Sequence, residues 1–234
     1  MRSETLRQLN SAIRSGRPVV RAAKLSSGEE RVIDPLSDRS ELGLAGARAA
    51  RADTSGTAEI EGETWFLSVF NPPLDLAIVG AVHIAQPLAR MASICGYHVR
   101  VIDPRSAFAT EARFPGVALS GDWPEEALAA APLGMRSALA ALTHDPRIDD
   151  PALAAALRSN CFYIGALGSK KTQAARHARL KALGFGDADL ARIHGPIGLG
   201  IGARSPAEIA VAILAEMTQV LRQGTDTPPD IRPA

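Results

Sequence analysis

The sequence predicts an α/β fold in which a doubly wound parallel sheet follows a small α+β amino-terminal lobe. Three observations lead there. From Leu74 onward, short apolar runs alternate with longer stretches of helical period, the pattern of successive βαβ units. Before the break at Asn71-Pro72-Pro73 the chain instead shows isolated helical stretches and a hairpin pattern. A chain of 234 residues with 46% hydrophobic content can also bury a core of this size. The expected organisation is residues 1–72 as the small lobe, 73–224 as the parallel-sheet domain and 225–234 as a flexible tail.

In the lobe, a helical stretch is expected from Thr5 to Arg14 and a strand from Pro18 to Leu25, ended by the turn Ser26-Ser27-Gly28. More extended chain precedes an Ala/Arg-rich helix from Leu42 to Ala52. A hairpin then pairs Thr57–Ile60 with Trp65–Phe70 around Glu61-Gly62-Glu63, since alternating apolar residues flank a glycine-bearing turn. In the second domain five strands are expected: Leu76–Val79, His98–Ile102, Val117–Leu119, Ala138–Leu142 and Phe162–Ile164. The stretches between them are long enough for helical crossovers. The last helix is the best marked, with Ser205 as cap, Pro206 in first position, Glu208 completing an S-x-x-E capping box and Ile209, Ile213 and Val220 on its buried stripe.

Charge excludes some functions. With 26 basic and 25 acidic residues, a formal charge of +1 leaves no basic footprint for nucleic acid or an anionic membrane surface. No run of 18 uncharged apolar residues occurs, and the polar start Met1–Thr5 has no apolar targeting core, so a cytoplasmic location is expected. Cys95 and Cys161, in apolar settings, read as two free buried thiols with no zinc-ligand spacing around them.

In a doubly wound sheet, ligands bind beyond the carboxyl ends of the strands, where loops and helix amino termini converge. Gly80-Ala81-Val82-His83-Ile84-Ala85 lies on the dinucleotide fingerprint G-x-G-x-x-G/A in two of three positions. Gly80 and Ala85 fit, but Val82 replaces the glycine that lets backbone approach a pyrophosphate, which argues against ordinary NAD(P) binding. This is the Rossmann-like feature of the sequence. His83, expected at the helix start, could donate to a ligand or simply cap. Asp103 ends the second strand where a ribose would be recognised, with Arg105 placed for a phosphate; an ordinary turn with a surface ion pair fits the same residues.

Thr143, His144 and Asp145 present three polar side chains after the fourth strand, and Asp149-Asp150-Pro151 is expected to start the next helix; a plain helix cap is the alternative. No serine or cysteine completes a hydrolytic triad there. The strongest local signal is Gly165-Ala166-Leu167-Gly168-Ser169-Lys170-Lys171, where free backbone N–H groups, a helix dipole and two lysines suit an anion, without Walker A spacing. A second anion cradle is expected at His194–Ser205, where four glycines, Gly198 and Gly202 among them, precede Arg204 and the Ser205 helix end.

Five segments together resemble the XdhC/CoxI family of xanthine dehydrogenase accessory factors: G-A-V-H-I-A-Q-P-L-A (80–89), V-I-D-P-R (101–105), L-T-H-D-P (142–146), F-Y-I-G-A-L-G-S-K-K (162–171) and I-H-G-P-I-G-L-G-I-G-A-R-S-P-A-E-I-A (193–210). The resemblance covers about residues 74–222. The amino-terminal lobe lacks the G-S-S-P-R-like segment of many members, and Gly200 stands in place of an acidic residue. The resemblance implies a non-enzymatic accessory protein or chaperone that binds molybdenum cofactor, as molybdopterin or its dinucleotide. It would assist sulfuration and insertion into a xanthine dehydrogenase-type molybdenum hydroxylase, with a sulfurase as a further partner and a homodimer left open. Two alternatives stand beside it, an NAD(P)-dependent oxidoreductase and a nucleotide-sensing module.

Overall fold

The computed structural model of the chain describes residues 3–105, 107–223 and 232–233. It divides into two compact units, one of Met1–Pro72 with Arg222–Ala234 and one of Pro73–Leu221.

The first unit begins with α1 (Ser3–Arg14), which buries Thr5, Leu9 and Ala12, one face at helical spacing. Strands β1 (Val19–Lys24) and β2 (Glu30–Ile33) pair antiparallel. Helix α2 (Glu41–Ala52) is capped by Ser40, whose hydroxyl accepts from Gly43 N at 3.0 Å. Strands β3 (Gly56–Ile60) and β4 (Glu63–Phe70) form the expected hairpin, with Glu61 and Gly62 both at positive φ as a two-residue turn requires. Leu42, Ala45 and Ala49 of α2 join Val20, Ala22, Ile33, Ile60, Trp65 and Leu67 of the sheet in one core.

The second unit carries six parallel strands: β5 (Leu74–Val79), β6 (Tyr97–Ile102), β7 (Ala118–Ser120), β8 (Ser137–Ala141), β9 (Tyr163–Ala166) and β10 (Ile193–His194). Their order, β10-β9-β8-β5-β6-β7, is the doubly wound arrangement, with the reversal between β5 and β8. Alternate residues serve opposite faces. Leu76, Ile78, Val99, Val101, Ala138 and Ala140 meet α3 (Ala85–Ile94) and α8 (Pro206–Gln223). Ala77, Val79, Leu139, Ala141 and Ile164 meet α4 (Pro124–Ala130), α5 (Pro146–Leu157) and α6 (Lys170–Ala182), ahead of the short α7 (Asp187–Leu190). Both faces are therefore covered, as a parallel sheet requires. Back in the first unit, β11 (Arg232–Pro233) pairs with β3, giving the antiparallel order β11-β3-β4-β1-β2. Otherwise the tail expected from residue 225 lies outside the described residues.

The structure corrects four local readings. A sixth strand exists, and at two residues it is too short to produce periodicity. The β6–β7 connection holds turns and no helix among the described residues, Pro104, Pro115 and Gly116 punctuating it. Helix α5 starts at Pro146, capped by Asp145, so Asp149, Asp150 and Pro151 lie inside it. Of the two free thiols, Cys161 is buried but Cys95, at the carboxyl end of α3, is exposed.

Candidate functional site

The crevice lies where β5 sends its helix to one face of the sheet and β8 sends its helix to the other. Gly80 follows β5 with φ +106°, and a Cβ there would stand 2.5 Å from Thr143 Cγ2. Only glycine fits both the backbone conformation and this close approach of the β5 and β8 loops. His83 is exposed on the turn before α3, two residues ahead of the helix rather than on it, and Val82 packs against the core.

Asp103 is fully buried at the end of β6 and accepts four hydrogen bonds: Ala81 N (2.8 Å), Arg105 N (3.0 Å), Arg105 Nε (2.9 Å) and Arg105 Nη2 (2.8 Å). Burial alone would raise its pKa, but the Arg105 and Ala81 bonds outweigh that and hold the carboxyl below the usual range. Neither oxygen is left for a ribose. Asp103 instead ties the Gly80 turn to Arg105, whose charge is favoured first by Asp103 and also by Asp145 and Asp149 across the crevice.

Thr143, His144 and Asp145 are organised by Asp149, which the sequence places at a helix start. Its buried carboxylate accepts from Thr143 Oγ1 (2.7 Å), Thr143 N (3.2 Å) and His144 N (3.0 Å), while His144 is exposed at φ +66°. Burial raises the Asp149 pKa despite these bonds. Asp145 accepts from Arg147 N and its guanidinium, which bring its pKa to about 2.

At β9, Gly168 has φ +139°, and Ser169 caps α6 by accepting from Thr172 N (3.2 Å). Lys170 and Lys171 are exposed at the helix start, and no ion pair engages either among the described residues. Gly165 lies in the strand, packed against Ile197 of the glycine-rich segment, so the β9 and β10 loops touch. That segment is pinned by Glu216, which accepts from Tyr163 OH (2.5 Å) and Gly198 N (2.8 Å) and pairs with His194 Nδ1 (3.3 Å), itself stacked on Tyr163. Burial, then Glu216, raises the Tyr163 pKa.

The Ser205 helix end is occupied from within. Glu208 Oε2 accepts from Arg204 N (2.8 Å) and Ser205 N (2.9 Å), so a carboxylate of the chain's own capping box sits at this helix end. Arg204, Gly202 and Glu208 instead line a cavity of about 360 Å³ together with Ile201, Ala203 and Val211.

The two groups of loops are joined by Arg176, which is 1% exposed. Its guanidinium donates to Leu167 O (3.0 Å) and Gln173 Oε1 (2.5 Å) and pairs with Asp149 (3.5 Å), while Gln173 donates to Ala166 O (2.8 Å). From β5 to β10 is three strand spacings, about 14 Å.

The family described as the XdhC Rossmann domain matches residues 76–217, more than half of the chain. The chain belongs to the XdhC family. Relatives include a probable xanthine dehydrogenase subunit of Bacillus subtilis, 32% identical over 159 residues, or 68% of this chain and 46% of that protein. The molybdenum cofactor insertion chaperone PaoD of Escherichia coli is also 32% identical over 159 residues, 68% of this chain and 44% of its own. This XdhC-family chain thus spans under half the length of these two relatives. A crystal structure of a xanthine dehydrogenase from Bacillus halodurans aligns with a TM-score of 0.69 at 26% identity, covering 94% of this chain and 67% of that one.

Gln173, Arg176 and Glu216 of the XdhC domain are not singled out by the sequence motifs, and Asp149 is read there only as part of a helix start. One signal exists for Gln173 and Arg176: with Leu180 they form the inward stripe of α6, so a charge stands where helical spacing calls for an apolar residue.

Proposed function

We propose that this chain binds molybdenum cofactor along the carboxyl edge of its parallel sheet and assists its sulfuration and insertion into a xanthine dehydrogenase-type molybdenum hydroxylase, without turning over a substrate. The observation that carries the reading is the β9–α6 turn. There a tight Gly168 turn, the amino terminus of a 13-residue helix and two exposed lysines, in no ion pair among the described residues, suit the phosphate of a pterin ligand. The name of the Escherichia coli relative, a molybdenum cofactor insertion chaperone, supports the same reading. Among the described residues no three His, Cys, Asp or Glu side chains converge on a metal-sized site. No described helix is long and apolar enough to cross a membrane.

Anaerobic titration of the protein with molybdenum cofactor, with NAD and NADP as parallel ligands, tests the proposal. Saturable binding of the cofactor is expected, weakened in the double variant Lys170→Ala/Lys171→Ala with the unfolding midpoint unchanged, because exposed lysines contribute little to stability. Binding of the nicotinamide nucleotides alone would overturn it in favour of the oxidoreductase alternative.

A further inference from the structure

The loop after β6 carries an aromatic side chain that the core does not use. Phe108 is 42% exposed and belongs to neither core cluster of the parallel-sheet domain. The Arg105 guanidinium lies over its ring, 4.6 Å from the centroid. Arg113 approaches the same ring at 5.9 Å and donates to Phe108 O at 2.6 Å, and Phe108 N donates to Arg105 O at 2.9 Å.

A lone exposed phenylalanine needs no explanation. This one differs because its stacking partner is fixed. Both Asp103 oxygens hold Arg105, and the same buried carboxylate accepts from Ala81 N beside the Gly80 turn. The Arg–Phe stack is thereby referenced to the sheet rather than left on a mobile surface. The Arg105 side chain is already held by Asp103 before any ligand arrives, which lowers the cost of ordering it on binding. Arg105 also keeps its charge, with 38% of its side-chain surface exposed while Nε and Nη2 are directed at Asp103. A planar cation over an aromatic face is the arrangement on which flat nitrogen heterocycles stack.

We propose that Phe108 and Arg105 form a stacking platform for the flat heteroaromatic ring of the ligand, a pterin or a nucleobase. This rests on the cofactor-handling reading and adds to it a residue that selects for a ring rather than for a phosphate.

The test uses the full chain and three stable probes: neopterin monophosphate, cytidine monophosphate and ribose 5-phosphate. The first two carry a ring and a phosphate, the third a phosphate only. Phe108→Leu keeps the apolar volume and removes the π face. Stacking is worth about 1–3 kcal/mol per ring, so Phe108→Leu should weaken a ring-bearing probe by roughly 5- to 150-fold. Ribose 5-phosphate should be unaffected, and Phe108→Tyr should restore the affinity. Whichever ring-bearing probe shows the loss identifies the ring. In NMR spectra, the Phe108 ring protons, assigned by their disappearance in Phe108→Leu, should shift upfield on saturation. Equal ring affinity in Phe108→Leu and the parent, no upfield shift, or no binding of either ring-bearing probe to the parent would overturn the platform. Failure of the chain to deliver molybdenum cofactor to a hydroxylase would instead refute the accessory reading, and a Phe108-dependent ring affinity would survive it.

Discussion

Replacing Arg176 by Met should show how strongly one buried cation couples the two groups of loops. The Met side chain preserves most of the stem volume and removes the guanidinium. Three interactions disappear: the bond to Leu167 O, the bond to Gln173 Oε1 and the pairing with Asp149. What remains is a buried carboxylate at Asp149 without its nearest counter-charge, and breaking such a pair from one side costs about 3–5 kcal/mol. That is a large share of the roughly 5–15 kcal/mol that holds a domain together, and it corresponds to a fall in Tm of about 6–20 °C. The chain has only two tryptophans, Trp65 in the first unit and the exposed Trp123 in the second. In a Trp65→Phe background, Trp123 fluorescence during denaturation reports the parallel-sheet domain separately.

The pH dependence has a definite sign. Burial already raises the Asp149 pKa above its unfolded value, so the folded state takes up a proton that the unfolded state releases. The carboxylate's penalty is therefore complete above the folded pKa and fades as pH falls through it. Arg176→Met should raise that pKa further, making the stability deficit largest at neutral and alkaline pH and smaller toward acid. Adding Asp149→Asn removes the stranded charge, so the double variant should lose less than the sum of the two single losses, by about 0.5–3 kcal/mol. A deficit under about 1 kcal/mol at neutral pH, a deficit that grows toward acid, or strict additivity would refute the coupling role given to Arg176.

Gly80→Ala should destabilise by about 1–3 kcal/mol and abolish cofactor binding, since the added methyl meets Thr143 and φ is +106°; thermal unfolding with a parallel titration reads both. Glu208→Ala should loosen the start of α8 through loss of the capping box, with anion affinity at the Ser205 end rising as Arg204 N and Ser205 N are released; a phosphate titration followed on those two amides checks it. Glu216→Ala should strand Tyr163 OH and Gly198 N at about 1–3 kcal/mol, and hydrogen exchange at the Gly198 amide should accelerate.

The fold class is legible because it rests on long-range pattern. Alternation of apolar runs and helical stretches, and capping signals such as Ser205-Pro206-Ala207-Glu208, are written in neighbouring residues, and they yield the parallel sheet and its last helix. Strand β10 is not legible: its two residues gain their pairing from β9, and nothing within Ile193-His194 announces it. The start of α5 shows a competition between two local rules. Asp145-Pro146 and Asp149-Asp150-Pro151 both look like a cap followed by proline, and the earlier one wins because Asp145 reaches Arg147 N while Asp149 faces inward to hold the Thr143 turn.

The candidate site divides along the same physical line. Glycines such as Gly80 and Gly168 are legible because a tight turn constrains residue type locally. What each polar side chain does there depends on partners distant in sequence, and the sequence alone leaves that open. Asp103 looks free to take a ribose; Ala81, 22 residues earlier, and Arg105 occupy it completely. The Ser205 helix end looks free to take an anion, yet the very residue that completes its capping box, Glu208, supplies the anion. The two expected cradles therefore differ in kind. At Ser169 the helix start is capped by a neutral hydroxyl and flanked by lysines that no ion pair engages among the described residues, leaving a positive potential that a ligand can meet; at Ser205 the carboxylate of Glu208 already sits at the helix end. An anionic ligand that distinguishes the two should bind at Lys170 and Lys171 first.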